Sequence, residues 1–391
     1  MVPAPLYCGD PVLDLALLPK RDPAGGVPAL FAGRRVSYSF NARVAIRKAC
    51  DILSLKPGDE VLAPAYNCGS ELDPLLDAGL TVRLYSVDPR GMVDPATVAR
   101  IIGPRTKAVY LTHYFGFLQP ATAAMRSLCD ARGLRLIEDC ALSLLSGSNP
   151  AGGRTGDVSV FCFYKFFPVI GGGALVINAP DLADRPLFRR PAPWRFVARH
   201  LARAGAGRLL GENRIAALKQ YLRGTGPKAE NAAEDRLPDM PAHYYFQAHL
   251  RDTRISSLTL RALAGFDVSA SITARRANYQ RLLGRLEGIP GMTPLFPTLA
   301  EDAVPLGMPV LIEGNHRDAL ALALQSEGIS ATPWWSGYHQ RLMFTGQPDA
   351  CRLKDKVLFL PTQPWLNRAS IDHIAARTAA LMKFPPRMST T

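Results

Sequence analysis

Apolar positions along this chain follow two alternating rhythms. From 41 to 53 (NARVAIRKACDIL) they recur at helical spacing, and at 61–63 they form a short unbroken run behind the turn residues KPGDE. The same reading predicts helices over ELDPLLDAG, PATVARII and TAAMRSLCDARG, with strands at 81–87, 108–115 and 134–141 between them. Two more strands are expected at 157–164 and 174–178. Strands alternating with helix-length crossovers specify an α/β fold, with a mostly parallel sheet between helices and a ligand site at the carboxyl ends of its strands.

The alternation stops near residue 185. A helical pattern begins at Arg254 and runs unbroken through SLTLRALAGFDVSASITARRANYQRLLGRLEG. Strand PVLIEG, helix HRDALALALQSEG, strands ISATPWW and VLFLPT, and the closing helix ASIDHIAARTAALMK then form a smaller α/β unit. The expected organisation is an N-terminal arm rich in Pro and Gly (1–35), a large domain (36–250) with a basic helical insertion at about 185–240, and a linking helix with a small C-terminal domain (251–391).

Composition narrows the functional classes. With 48% hydrophobic and 20% charged residues, the 391-residue chain reads as a soluble enzyme. No apolar run reaches the roughly 18 residues that a membrane span needs, and MVPAPLYCGD lacks the features of a secretion signal, so a cytoplasmic protein is expected. The seven cysteines and seven histidines are scattered, with neither CxxC nor HExxH spacing, and no metal centre is expected. Of the net charge of +13, most lies between Arg185 and Arg223, where ten Lys or Arg face one acid, Glu212. Within that segment WRFVARHLARAG puts Arg195, Arg199 and Arg203 on one helical face and Trp194, Val197 and Leu201 toward the other. Such a face suits a membrane surface, an anionic substrate, a partner subunit or plain solvent. No nucleic-acid reading motif accompanies it.

Candidate chemistry centres on TGDVSVFCFYKFFPVIGGGA, residues 155–174, which sets Lys165 between an alternating strand and three glycines. A lysine held among aromatics calls for a lowered pKa, which would favour reaction with carbonyls; the alternative is a side chain that simply reaches solvent. Asp139, in IEDCA at the end of a predicted strand, is either a helix cap or the counter-ion of a bound cation.

Taken together, LKPGDEVLAPAYNCGS, PRTKAVYLTHYFG, ARGLRLIEDCA, TGDVSVFCFYKFFPVIGGGALVIN, TRISSLTLRAL and KVLFLPTQPWLNRASIDHI occur in an order that resembles the DegT-type sugar aminotransferases, fold type I enzymes dependent on pyridoxal 5'-phosphate. The resemblance implies that Lys165 holds the cofactor aldehyde as a Schiff base, Gly172 and Gly173 following at the family's distance. It implies that Asp139 pairs with the pyridine nitrogen and that the backbone at Ala42 and Arg43 holds the phosphate. Tyr164, His113 and Arg254 become candidates for contact with substrate, and the TRISSL-type segment implies a homodimer with shared sites. An amino-acid donor such as glutamate and an anionic, nucleotide-linked keto sugar are the implied substrates.

Four positions depart from the family's pattern. Leu142 stands where a Gln or His hydrogen-bonds the cofactor ring oxygen, Cys162 where a serine binds phosphate, Cys68 where an aromatic stacks on the ring, and Asp252 where the partner's asparagine approaches the phosphate. These departures keep two alternatives open: a pyridoxal phosphate enzyme of another reaction type acting on a non-sugar substrate, and a binding scaffold without catalysis.

Overall fold

Burial is most complete in the middle of the chain, where every residue of β2 (Glu60–Pro64), β6 (Val158–Cys162) and β7 (Gly173–Ile177) is shielded from solvent. The protein is described by a computed structural model covering residues 13–18, 26–147, 152–182, 187–210 and 237–383, the side chains of 207–210 excepted. Most of the expected N-terminal arm and the distal part of the basic segment therefore lie outside the described residues.

In chain order, α1 (Gly26–Ala29) and β1 (Arg35–Ser39) precede α2 (Ala42–Ile52), β2, α3 (Asp73–Asp77), β3 (Thr81–Tyr85), α4 (Pro95–Ile101), β4 (Thr106–Thr112), α5 (Thr122–Arg132), β5 (Arg135–Asp139), β6 and β7. Seven strands form one mixed sheet in the order β1-β7-β6-β5-β4-β2-β3, parallel from β3 through β6 and antiparallel where β7 pairs with β6 and β1. The expected mostly parallel sheet is present. Edge strand β1 escaped the sequence reading because RVSYS is mostly half-buried and lacks a clean apolar alternation. Helix α2 seals one face of the sheet through Val44, Ala45, Ile46, Ala49 and Cys50, each at most 1% exposed. Burying a side chain such as Ile46 contributes about 1.5–3 kcal/mol.

Beyond the sheet, α6 (Trp194–Leu210), α7 (Ser257–Ala264) and α8 (Val268–Leu286) lead to β8 (Met292–Pro294), β9 (Met308–Ile312), α9 (Arg317–Ser326), β10 (Thr332–Pro333), α10 (Pro348–Lys356), β11 (Val357–Leu360) and α11 (Arg368–Lys383). The four strands make a second, wholly antiparallel sheet ordered β10-β11-β9-β8.

Three expectations need correction. The long helix from Arg254 is two helices: Gly265 closes α7, and the Asp267 carboxylate accepts from the Ala270 amide at 2.9 Å to start α8. The strand expected across ISATPWW shrinks to Thr332–Pro333, and its two tryptophans fall in a loop. On α6, Trp194 is 72% exposed and Leu201 is exposed beside the arginines; the packed edge is instead Phe196, whose ring meets Phe40 at 4.9 Å, with Val197 and Ala204.

Candidate active site

The end of β6, the start of β7 and the start of α2 meet at one point, though they come from opposite ends of the large sheet's sequence. Cys162 pairs with Gly173 across β6 and β7, and Gly173 pairs with Ser39 of β1, two residues before the N-cap of α2. That N-cap is Asn41, whose side chain accepts from the Val44 amide at 3.0 Å. The amides of Ala42 and Arg43 head the helix with no acceptor inside it, an arrangement that attracts anions. Gly173 is required here because a Cβ on it would stand 2.7 Å from the Ala42 nitrogen and 2.8 Å from the Phe161 oxygen.

Lys165 sits in the turn between β6 and β7, closed by the Phe166 and Phe167 amides donating to the Phe163 oxygen at 3.0 and 2.9 Å. It shares a cleft with Asp139, Ala42, Arg43, Cys68, Leu142, Cys162 and Tyr164, so eight of the predicted site residues converge. The lowered amine predicted for Lys165 is not found. Burial acts to lower it, but the surrounding acidic groups, Cys162 and Cys68 first and then the Asp139 and Glu71 carboxylates, outweigh burial and raise it. Burial, reinforced by Glu71, pushes the Cys68 thiol up to about 12, and burial raises Cys162 as well. Both thiols are therefore protonated near neutrality, and the carboxylates are the lasting counter-charge.

Asp139 closes β5 beside Thr112 of β4 and Val160 of β6. Its oxygens accept from the Tyr110 hydroxyl and the Ala141 amide, each at 2.8 Å. Burial raises its carboxyl, Glu71 adds to that, and the Ala141 amide, Lys165 and the Tyr110 hydroxyl pull the other way. A buried anion of this kind gains by facing a cation.

Three predicted residues are not brought to this cleft. His113 is buried behind it, with Nδ1 accepting from the Gln119 amide at 3.0 Å and Nε2 lying 3.0 Å from Glu138 Oε1. With Nδ1 an acceptor, Nε2 carries the proton and donates it to Glu138. Glu138 also receives the Thr155 and Gly156 amides at 2.9 and 2.8 Å, so His113 and Glu138 belong to a hydrogen-bonded structural network, with Cys140 close by. Arg254 is exposed, its amide bonded to the Arg190 oxygen at 2.9 Å. Asp252 turns to Lys48, 2.6 Å away, which holds its carboxyl below the usual range.

Sequence reasoning missed the other wall. A cavity of about 530 Å³ opens above Lys165, Cys68 and Tyr164, bounded by Trp334, Trp335 and Phe359 on one side and Met240, His243 and Tyr244 on another. Glu71 belongs to the cleft as well: its carboxylate accepts from the Cys68 amide at 3.0 Å and the Cys68 thiol at 2.6 Å. An acid beside NCGS and an adjacent tryptophan pair were visible in the sequence, but nothing local tied either to Lys165. The Arg43 guanidinium donates to the carbonyls of His243, Tyr244 and Tyr245, fastening this wall to the head of α2.

Residues 32–193 and 246–378 match the model of the DegT/DnrJ/EryC1/StrS aminotransferase family. The chain belongs to that family. Its membership makes it a transferase, as the resemblance implied. A UDP-N-acetyl-3-dehydro-alpha-D-glucosamine 3-aminotransferase of Acidithiobacillus ferrooxidans is 26% identical, covering 85% of this chain and 80% of that protein. The erythromycin biosynthesis sensory transduction protein EryC1 of Saccharopolyspora erythraea is 31% identical over 90% of this chain and 88% of its own length. Among solved structures, the aminotransferase TlmJ from Streptoalloteichus hindustanus superposes with a TM-score of 0.68 at 20% identity, covering 96% of this chain and 98% of that one. These similarities confirm the α/β fold with a large mixed sheet and a smaller second sheet.

The cleft fits a phosphorylated pyridine aldehyde on its own geometry. Free amides head α2, a side chain at Gly173 would fill the space against them, and Thr112 offers a buried hydroxyl oxygen without a partner on the cleft wall. An amine and a buried carboxylate complete the donor set.

Proposed function

We propose that this member of the family binds pyridoxal 5'-phosphate and moves an amino group from an amino acid such as glutamate to a nucleotide-linked keto sugar. The observation that carries the reading is the convergence of Lys165, Asp139 and the free head of α2 in one cleft. When bound, the cofactor supplies an exchangeable carbonyl and an electron sink. The amides of Ala42 and Arg43 would hold its phosphate, and the Asp139 carboxylate would keep a ring nitrogen protonated. The Lys165 amine would hold the aldehyde, and as a free amine beside the reacting carbons it would serve as the acid and base that moves a proton between them. Leu142 contributes shape in place of a hydrogen bond. Asp252 poses no charge conflict with a phosphate because Lys48 neutralises it.

The sugar reading is supported by relatives named as acting on UDP- and dTDP-linked sugars. The cavity above Lys165, with its tryptophan pair, is the space assigned to that acceptor. We read the chain as a cytoplasmic homodimer. Exposed Arg254 lies outside its own chain's cavity, as suits a residue that serves a neighbour. The Arg195, Arg199 and Arg203 face of α6 is read as a site for an anionic surface, a point that sedimentation with phosphatidylglycerol vesicles decides.

The test of the main reading is spectroscopic. Protein loaded with the cofactor is expected to absorb visible light and to lose that band on addition of glutamate. A band that persists with every common amino donor refutes the transaminase.

A further inference from the structure

Helix α10 carries a lysine where its apolar phase calls for a hydrocarbon: Ala350, Leu353 and Lys354 all face inward, and Lys354 has no exposed surface. Its ammonium donates to the Asn67 oxygen at 2.6 Å and to the Gly337 oxygen at 2.7 Å, while standing 4.6 Å from the Tyr338 ring centre and 5.4 Å from that of Phe344. The two carbonyls belong to two different loops that line the cavity. Asn67 precedes Cys68, Ser70 and Glu71; Gly337 follows Trp334, Trp335 and Ser336. Two uncharged or locally paired links, Tyr66 to the Trp334 oxygen and His339 to Asp73 at 2.8 Å, join the same loops.

We propose that Lys354 is a positioning residue that cross-links the Cys68–Glu71 loop to the Trp334–Gly337 loop and so fixes the width of the acceptor cavity. The use of that cavity for an acceptor rests on the reading above; the cross-link itself does not. Charge-assisted bonds to two carbonyls are stronger and shorter than neutral ones, and the aromatic faces stabilise the same charge. The groups facing the amine are Cys68 and Glu71 from one wall, Tyr338 from the other, Cys351 and Asp355 from α10 itself, and Arg317, which donates to the Lys354 oxygen. Burial lowers the amine to about 8, against weaker opposition from Cys68, Glu71, Cys351 and Asp355. The ammonium is thus present at neutral pH and is lost as the solution becomes moderately alkaline, which weakens both bonds.

Hydrogen–deuterium exchange of the full-length, cofactor-loaded protein tests this without knowledge of the acceptor. In Lys354→Met at pH 7, peptides covering 66–71 and 334–340 are expected to exchange at least tenfold faster than in wild type, with β4–β6 unchanged. In wild type, the same two peptides should lose protection between pH 7 and 9.5 after correction for intrinsic rates, and the variant should lack that step. Unchanged exchange, or acceleration spread across the large sheet, overturns the cross-link; the wild-type arm decides the matter even if the variant does not fold. In parallel, glutamate titration of the cofactor band should show a half-saturating concentration raised several-fold in Lys354→Met with a maximal rate within twofold. An equal fall in rate with no change in half-saturation also overturns the proposal. If glutamate leaves the wild-type band untouched, the amino-transfer reading fails while the exchange data still judge Lys354.

Discussion

The floor of the cleft and the wall above it are built in different ways. The floor consists of strand ends and a helix head: Asp139 closes β5, Lys165 follows β6, and α2 starts three residues after the end of β1. Sheet register fixes each of these, so moving one requires breaking a ladder. The wall consists of loops, with Cys68 and Glu71 on one side and Trp334 and Trp335 on the other, joined by side-chain bridges such as Tyr66 to Trp334. A floor held by register suits a cofactor that never changes. A wall held by a few side chains can be re-shaped around a different acceptor while leaving the floor intact.

Substitutions can break or sharpen this contrast. The largest effect is expected at Lys165→Ala, which should abolish the visible band of the loaded protein and lower amino transfer by more than about 10³-fold, since it removes the group proposed as both anchor and proton carrier. Absorption spectra and single-turnover rates check it; an unaltered band would mean that the floor has been misassigned. Next comes Gly173→Ala. Its Cβ would lie 2.7 Å from the Ala42 nitrogen and 2.8 Å from the Asn41 carbonyl carbon, backbone atoms that cannot swing aside. A cost of about 1–3 kcal/mol in stability is expected, together with weaker cofactor binding, read by thermal melts with and without cofactor. Loss of stability without loss of affinity would separate Gly173 from the phosphate site.

The smallest effect belongs to the wall. Glu71 is one of the negative groups that raise the Lys165 amine, and it also raises the Cys68 thiol. In Glu71→Gln the field weakens, the ammonium is less favoured and its pKa falls. Capture of cofactor by the apoprotein, which needs the neutral amine, should therefore reach half its maximal rate at a lower pH, with the maximal rate little changed. A shift upward, or none, would show that Glu71 does not raise the Lys165 amine.

How much of this was legible in the chain depended on distance along it. Lys165, Asp139 and the start of α2 could be read because each sits at the end of a strongly patterned element, and such ends are where parallel sheets gather ligands. Lys165 lies in the cleft with Asp139, but its proton equilibrium was not legible, because Cys68, Asp139 and Glu71 gather around it only in three dimensions. His113 looked as available as Asp139 in LTHYFG, yet it points into the Glu138 network rather than the cleft. Asp252 meets Lys48 from 204 residues away, and Lys354 meets Asn67 from 287 away; no window of sequence contains either pair.

By itself, the sequence determined the order of elements, the mostly parallel sheet, and the lysine and aspartate at its strand ends, because hydrophobic period and turn chemistry are local properties that fix where strands stop. Tertiary structure alone decided which carboxylates surround Lys165, which way its proton equilibrium moves, and how wide the cavity above it stands. Those are properties of burial and of charges brought together from distant segments. A linear pattern carries no measure of either.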